Sequence, residues 1–158
     1  MDNQAKKTAL RGISYGLYVI GTKVGDDVNA FTGNWVTQTS FTPPLVAIGV
    51  KKGTNSSEGI HESGVFSVNV LETGQQDLAT AFFKPMSRVG NKFGDIEFST
   101  HTTGSPILSD ALSWFECKVV HEYSEGDHVI YIGEVIDAGV NREGKPLTLQ
   151  ETGMYYGG

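Results

Sequence analysis

The sequence holds a single cysteine, Cys117, among its 158 residues. One thiol cannot form an intrachain disulfide or supply a cysteine pair to a metal, and both exclusions suit a reducing compartment. Cys117 falls in an alternating pattern with Phe115 and Val119, which points to a buried, inert side chain rather than a nucleophile. The common nucleotide and hydrolase signatures are missing: there is no G-x-G-x-x-G after a strand, no G-x-x-x-x-G-K-[ST], no G-x-S-x-G and no H-E-x-x-H. His61, His101, His121 and His128 are scattered without metal-ligand spacing, so no metal site is expected. Positive charge is in deficit, with 12 Lys and Arg against 18 Asp and Glu for a formal net charge of -6. Such a field repels a phosphate backbone or an anionic membrane, so neither nucleic acid nor membrane is an expected partner. Long apolar runs are absent too. The stretch from Val129 to Ile132 is far too short to cross a bilayer, and MDNQAKKTALRG lacks a signal-peptide apolar region. A cytoplasmic protein is the expectation.

The chain is rich in turn signals. Twenty glycines, 39 % hydrophobic residues and 19 % charged residues describe a globular chain, and the length fits one domain over residues 1–158 with no repeat or linker. Asn3 to Arg11 reads as a short opening helix, and Tyr15 to Thr22 as a strand. GDDVN turns the chain into a second extended segment, Ala30 to Phe41, which Pro43 and Pro44 must break. LVAIGVKK follows as a buried strand. TNSSEGIHESG reads as a helix with Asn55 as N-cap, Glu58 as capping-box partner and Gly64 as stop. Val65 to Glu72 is a strand. Thr73 and Gln76 make a second capping box for a helix that puts Leu78, Ala81 and Phe82 on one face and ends at Pro85. Leu112 to Val140 forms a long hairpin around SEGD. Six or seven strands with two or three short helices predict a mainly β, antiparallel barrel or sandwich, and a small β-barrel is the expected form.

Three local features carry possible chemistry. The strand TGNWVTQTSF, Thr32 to Phe41, is dense in small hydroxyl and amide groups that could line a polar heterocycle, although threonine is equally at home on a solvent-facing strand. KKGTNSSE, Lys51 to Glu58, sets two lysines and several hydroxyl or amide groups at a helix start. Its unpaired N–H groups and partial positive charge suit a phosphate, while the plainer reading is an N-cap with solvated lysines. His128 opens the strand GDHVIYIGEV after a turn, where it either hydrogen-bonds a ligand or stands in water.

Taken in order, SYGLYVIGT, NWVTQTSFTPPLVAIGV, SGVFSVNVL, NKFGDIEF and GDHVIYIGEV resemble the flavin reductase-like, FMN-binding split-barrel family. That family includes NAD(P)H:flavin oxidoreductases and flavoredoxin-type proteins. The resemblance implies a Greek-key split β-barrel and a homodimer with FMN in a groove at the dimer interface. It places Asn34, Trp35, Val36 and Thr37 beside the isoalloxazine and ribityl chain, with Ser40 further along, and Lys52, Asn55 and Ser56 at the phosphate. Lys92 and Phe93 would close over the flavin, His128 would stand near the nicotinamide or substrate, and Tyr155 or Tyr156 would cover the ring. The implied reaction is hydride transfer from NAD(P)H to the flavin N5, with electrons passed on to free flavin, oxygen or a redox partner protein. The cofactor carries the chemistry and the protein supplies orientation and electrostatics. The Asn34-Trp35 pair also resembles the flavoredoxin branch, an FMN electron carrier reduced by a partner protein.

Overall fold

The computed structural model describes residues 1–158. Helix α1 (Asn3–Arg11) begins at Asp2, whose carboxylate accepts from the N–H groups of Gln4 and Ala5, and it buries no residue. Strands β1 (Tyr18–Val24) and β2 (Asp27–Gly33) pair antiparallel, with Val24 opposite Asp27 and only Gly25 and Asp26 in the turn. The expected extended segment from Ala30 to Phe41 is interrupted. Asn34 and Trp35 leave the ladder, and the chain resumes as β3 (Val36–Ser40), which turns through the two prolines into β4 (Leu45–Lys51). β4 is buried on alternate residues only, so it is a half-buried strand. Next come α2 (Asn55–Ser63), β5 (Val65–Val70), α3 (Gln76–Ala81), four short strands β6 (Arg88–Val89), β7 (Lys92–Phe93), β8 (Ile96–Thr100) and β9 (Pro106–Leu108), and the long hairpin β10 (Ser113–Tyr123) and β11 (His128–Val140).

Seven strands form one antiparallel sheet in the order β2-β1-β5-β10-β11-β4-β3. Its two edges, β2 and β3, are consecutive in the chain. Laid flat, the interstrand gaps would hold those edges about 29 Å apart, whereas Gly33 and Val36 are three Cα steps apart, at most about 11 Å. The sheet must therefore curl until its edges meet. They meet without pairing, which makes the fold a split barrel with its seam at Asn34 and Trp35. The four short strands form a second sheet, β6-β7-β8-β9. Sequence reading missed them because β6, β7 and β9 have only two or three residues, too few to show a periodicity, and β8 has only five.

Because successive strand residues face opposite sides, β1 feeds two cores. Ile20 enters the barrel cluster with Ile48, Ile60, Phe66, Val68, Cys117 and Tyr131. Val19 enters a second cluster with Leu71, Phe82, Phe93, Phe98 and Leu108, beneath α3 and the small sheet. Cys117 is fully buried. Burial first, and the charge of Glu116 second, push its thiol up to about 12, so it is an inert core group. None of the helices is long and apolar enough to cross a membrane.

Two helix starts differ from expectation. The N-cap of α2 is Thr54, not Asn55: its hydroxyl accepts from Ser57 N–H at 3.2 Å, and Gly64 closes the helix at φ 68°. Asn55 therefore lies inside the first turn. Helix α3 begins after Gln75 without a side-chain cap, so the Thr73–Gln76 box does not form, and the helix stops at Ala81, well before Pro85. The Thr73 hydroxyl instead donates to Glu151.

Helix α2 lies close on β1. A Cβ added at Gly59 would sit 2.7 Å from the Lys23 carbonyl oxygen and 2.8 Å from Val24 Cγ2. Backbone cannot yield as a flexible side chain can, so Gly59→Ala should cost about 1–3 kcal/mol, a typical overpacking penalty. Gly126→Ala is the control, since a Cβ there meets nothing nearer than 4.0 Å. Thermal denaturation should show a lower midpoint for the first variant and little change for the second.

Candidate functional site

A cleft of about 670 Å³ opens at the seam. Gly33 and Asn34, where β2 ends, form one wall, and Gly49 and Lys51 of β4 form another. The start of α2 contributes Thr54 and Ser56, and β11 contributes His128. Phe31, Phe82 and Phe83 give an aromatic side, and Tyr155 and Tyr156 cover the mouth. Beyond the tyrosines a second hollow of about 520 Å³ runs between Ile13–Gly16 and the segment from Thr148 to Met154.

The residues expected from sequence distribute unevenly around this cleft. Asn34 lines it and is 6 % exposed, and its Nδ2 is buried with no partner in the structure. An unpaired buried amide costs about 1–3 kcal/mol of desolvation, and the neighbouring Trp35 indole N–H is likewise buried without a partner. Trp35 stands behind the lining. Its carbonyl accepts from Gly49 N–H at 2.9 Å, and its ring lies over Gly49, where a Cβ would come within 2.8 Å of the indole. Val36 packs against the barrel cluster. Thr37 is exposed, and Ser40 sits at the irregular end of β3. None of these three lines the cleft.

The two lysines part company at the end of β4. Lys51 is the register partner of His128, and directly opposed residues share a face, so both line the cleft. The next residue is directed the other way. Lys52 Nζ donates to the Ser124 carbonyl at 2.6 Å and borders a hollow with Ser57, His61 and Glu122. The structure thus leaves Lys52 outside the cleft and brings Lys51 into it. Ser56 lines the cleft and is 7 % exposed, whereas Asn55 is not among the lining residues.

Lys92 and Phe93 are also not brought to the cleft of this chain. Lys92 pairs with Glu97 at 3.0 Å in solvent. Phe93 is fully buried, stacked on Phe98 at 4.7 Å and edge-on to Phe82 at 5.5 Å. Its alternation along a two-residue strand was too short to expose the core role from sequence.

His128 is fixed from three sides. Its Nδ1 lies 2.8 Å from Asp127 Oδ1, its Nε2 lies 2.9 Å from the Tyr156 hydroxyl, and its ring is 4.5 Å from that of Trp35. An ionised carboxylate only accepts, so Nδ1 carries a proton, and in the neutral ring Nε2 accepts from the tyrosine. The hydrogen bond to His128, and then its charge, hold the Asp127 carboxyl below the usual range. Burial first, and the Asp127 charge second, raise the Tyr156 phenol. Tyr156 also meets the Trp35 ring edge-on at 5.5 Å. The chain segment beyond it is tied down where Arg11 Nε donates to the Gly157 carbonyl at 3.3 Å. Lys51 and Thr54 lie within the segment read as a phosphate seat, but the choice of Lys51 over Lys52, Thr54 as the cap and the His128–Tyr156 contact escaped sequence reading. Alternation through LVAIGVKK marks Lys51, but the meeting of His128 and Tyr156 spans 28 residues and has no local signal.

A family model described as a flavin reductase like domain matches residues 10–158. A probable flavin reductase of Rhizobium meliloti is 32 % identical over 135 residues, covering 85 % of this chain and 42 % of the relative. A ferric-chelate reductase (NAD(P)H) of Archaeoglobus fulgidus is 32 % identical over 139 residues, covering 86 % of this chain and 82 % of the relative. Among solved structures, the NADH:FAD oxidoreductase SgcE6 of Streptomyces globisporus superposes with a TM-score of 0.76 at 30 % identity, covering 89 % of this chain and 84 % of that one. The split barrel with its cleft at the seam is a flavin reductase fold, and the chain belongs to the flavin reductase-like family. It spans less than half the length of the Rhizobium meliloti relative.

Proposed function

We propose that the chain is an FMN-binding oxidoreductase that takes hydride from NAD(P)H, a flavin reductase. The observation that carries this reading is the buried, unpartnered Asn34 amide in a cleft whose far wall is the start of a helix. The residues present fit an FMN. Asn34 offers a donor where a heterocycle presents carbonyl and ring-nitrogen acceptors, and the phenylalanine side supplies apolar surface. Thr54 occupies two acceptor positions of α2. The N–H groups of Asn55 and Ser56 are among those a helix start leaves without an intrahelical acceptor. Together with Lys51 and the Ser56 hydroxyl they form a seat for a dianion in an otherwise acidic molecule. A seat for one dianion suits the single terminal phosphate of FMN, and this supports FMN over FAD as the resident flavin.

Bound flavin supplies the hydride-accepting chemistry, and the protein needs no nucleophile of its own. The task left to the chain is to orient and to exclude water. Trp35 and Tyr156 hold the His128 ring in one orientation, and Tyr156 limits solvent at the mouth. Asp127 keeps the proton on Nδ1, which leaves Nε2 as the nitrogen that exchanges partners when the tyrosine moves. Solvent-facing apolar groups, with Phe41 88 % and Val140 77 % exposed, support a homodimer. The lone buried thiol supports a cytoplasmic setting. Free flavin or a redox partner protein is the proposed acceptor.

Anaerobic titration of the FMN-loaded protein with NADH and then NADPH tests the activity. The visible flavin band should bleach rapidly with at least one donor. Bound flavin that stays oxidised would move the reading to a flavoredoxin-type electron carrier, and failure to take up flavin would end both. The phosphate seat makes a separate prediction. Lys51→Ala should weaken FMN binding about tenfold, the scale of a lost charge-assisted hydrogen bond, while Lys52→Ala should change it little. Fluorescence quenching of FMN measures both, and the reverse order would return the phosphate to the Lys52 side.

A further inference from the structure

Ser56 has a hydroxyl with one commitment. Its Oγ accepts from Asn29 Nδ2 at 2.8 Å and makes no other hydrogen bond in the structure. A serine hydroxyl carries one proton and two lone pairs. With a lone pair held by an amide N–H₂, the O–H is left to donate, and Ser56 is 7 % exposed and lines the cleft. Asn29 itself lies on β2 opposite Thr22, outside the lining. It reaches Ser56 from behind.

We propose that Asn29 is a positioning residue that fixes the Ser56 hydroxyl as a donor toward an anion in the cleft, and so sets the preference for a phosphorylated flavin over riboflavin. This rests on the FMN reading above. An amide that donates to a serine oxygen polarises the hydroxyl and removes the rotamer in which the proton would turn back into the protein. The β2 strand thereby acts on ligand choice without touching the ligand. An acidic side chain at position 29 would do the opposite. It could only accept, would draw the Ser56 proton away from the cleft, and would add a negative charge beside the anion.

The test is the ratio of riboflavin to FMN dissociation constants, measured by fluorescence quenching on the full chain. Wild type, Asn29→Ala, Asn29→Asp, Ser56→Ala and the Asn29→Ala/Ser56→Ala double variant are compared. Far-ultraviolet circular dichroism and thermal midpoints confirm folding, and the isosteric Asn29→Asp guards against loss of packing at the alanine. Wild type should prefer FMN. Asn29→Ala should cut the preference about three- to tenfold and Asn29→Asp further, with riboflavin affinity unchanged. In the Ser56→Ala background Asn29→Ala should have no added effect, because the two residues act as one unit. An undiminished preference in both Asn29 single variants, beside a wild type that prefers FMN, would overturn the role of Asn29. Equal additive losses in the double variant would overturn it as well. A wild type that binds both flavins alike would instead remove the phosphate reading, and the inference with it.

Discussion

The link between β2 and β3 governs the rest of the structure. Two residues, Asn34 and Trp35, join the opposite edges of a seven-stranded sheet, and a flat sheet cannot meet that constraint. The sheet curls, its edges approach, and the two residues of the link lie outside both strands, with only the Trp35 carbonyl still bonded to β4 through Gly49 N–H. One of them, Asn34, is left with a buried amide and no partner. The other, Trp35, lies across Gly49 and becomes the backing for His128 and Tyr156. A topological requirement thus places a donor and an aromatic platform at the one point where the barrel is open. Closure by strand pairing would have filled that space with backbone hydrogen bonds.

The cleft also inverts the electrostatics of the molecule. The chain carries a formal net charge of -6, yet the wall made by α2 and the end of β4 presents a helix start, a lysine and a hydroxyl. Local donors dominate there because they act over a few ångströms, whereas surface charges farther than about 8–10 Å are screened. Burial supports the arrangement from behind. Gly59 lets α2 lie against β1, and Ile60 anchors the helix in the barrel cluster. Asn29, on the neighbouring strand, holds Ser56. No carboxylate lines the cleft, although Asp127 adjoins it through its hydrogen bond to His128.

Much of the fold was legible in sequence. The long hairpin from Ser113 to Val140, the opening helix from Asn3 to Arg11 and the helix ended by Gly64 follow from periodicity and capping chemistry. Local rules failed where tertiary structure decides. Thr54 rather than Asn55 caps α2, since both are competent caps and the backbone chooses between them. Ala30 to Phe41 reads as one strand because nothing local marks Asn34 and Trp35 as a seam. In the site, adjacent lysines were indistinguishable by composition, and the pairing of Lys51 with His128 across β4 and β11 separates them. Phe93 carried a family resemblance, and the structure gives it a core position between Phe82 and Phe98. The Asp127–His128–Tyr156 chain joins neighbours in sequence to a distant residue, which only the fold can bring together.

The central claim is that the seam at Asn34 and Trp35, together with the start of α2, forms the flavin site. A ¹⁵N-correlated NMR titration of the protein with FMN addresses it directly, because it reads every backbone and side-chain N–H at once. The account predicts that the Asn34 side-chain amide, the Trp35 indole and the Asn55 and Ser56 backbone N–H groups shift together along one saturation curve. Shifts confined to the Lys92–Phe93 hairpin, or to the hollow beside Ile13–Gly16, with the seam unmoved, would contradict it.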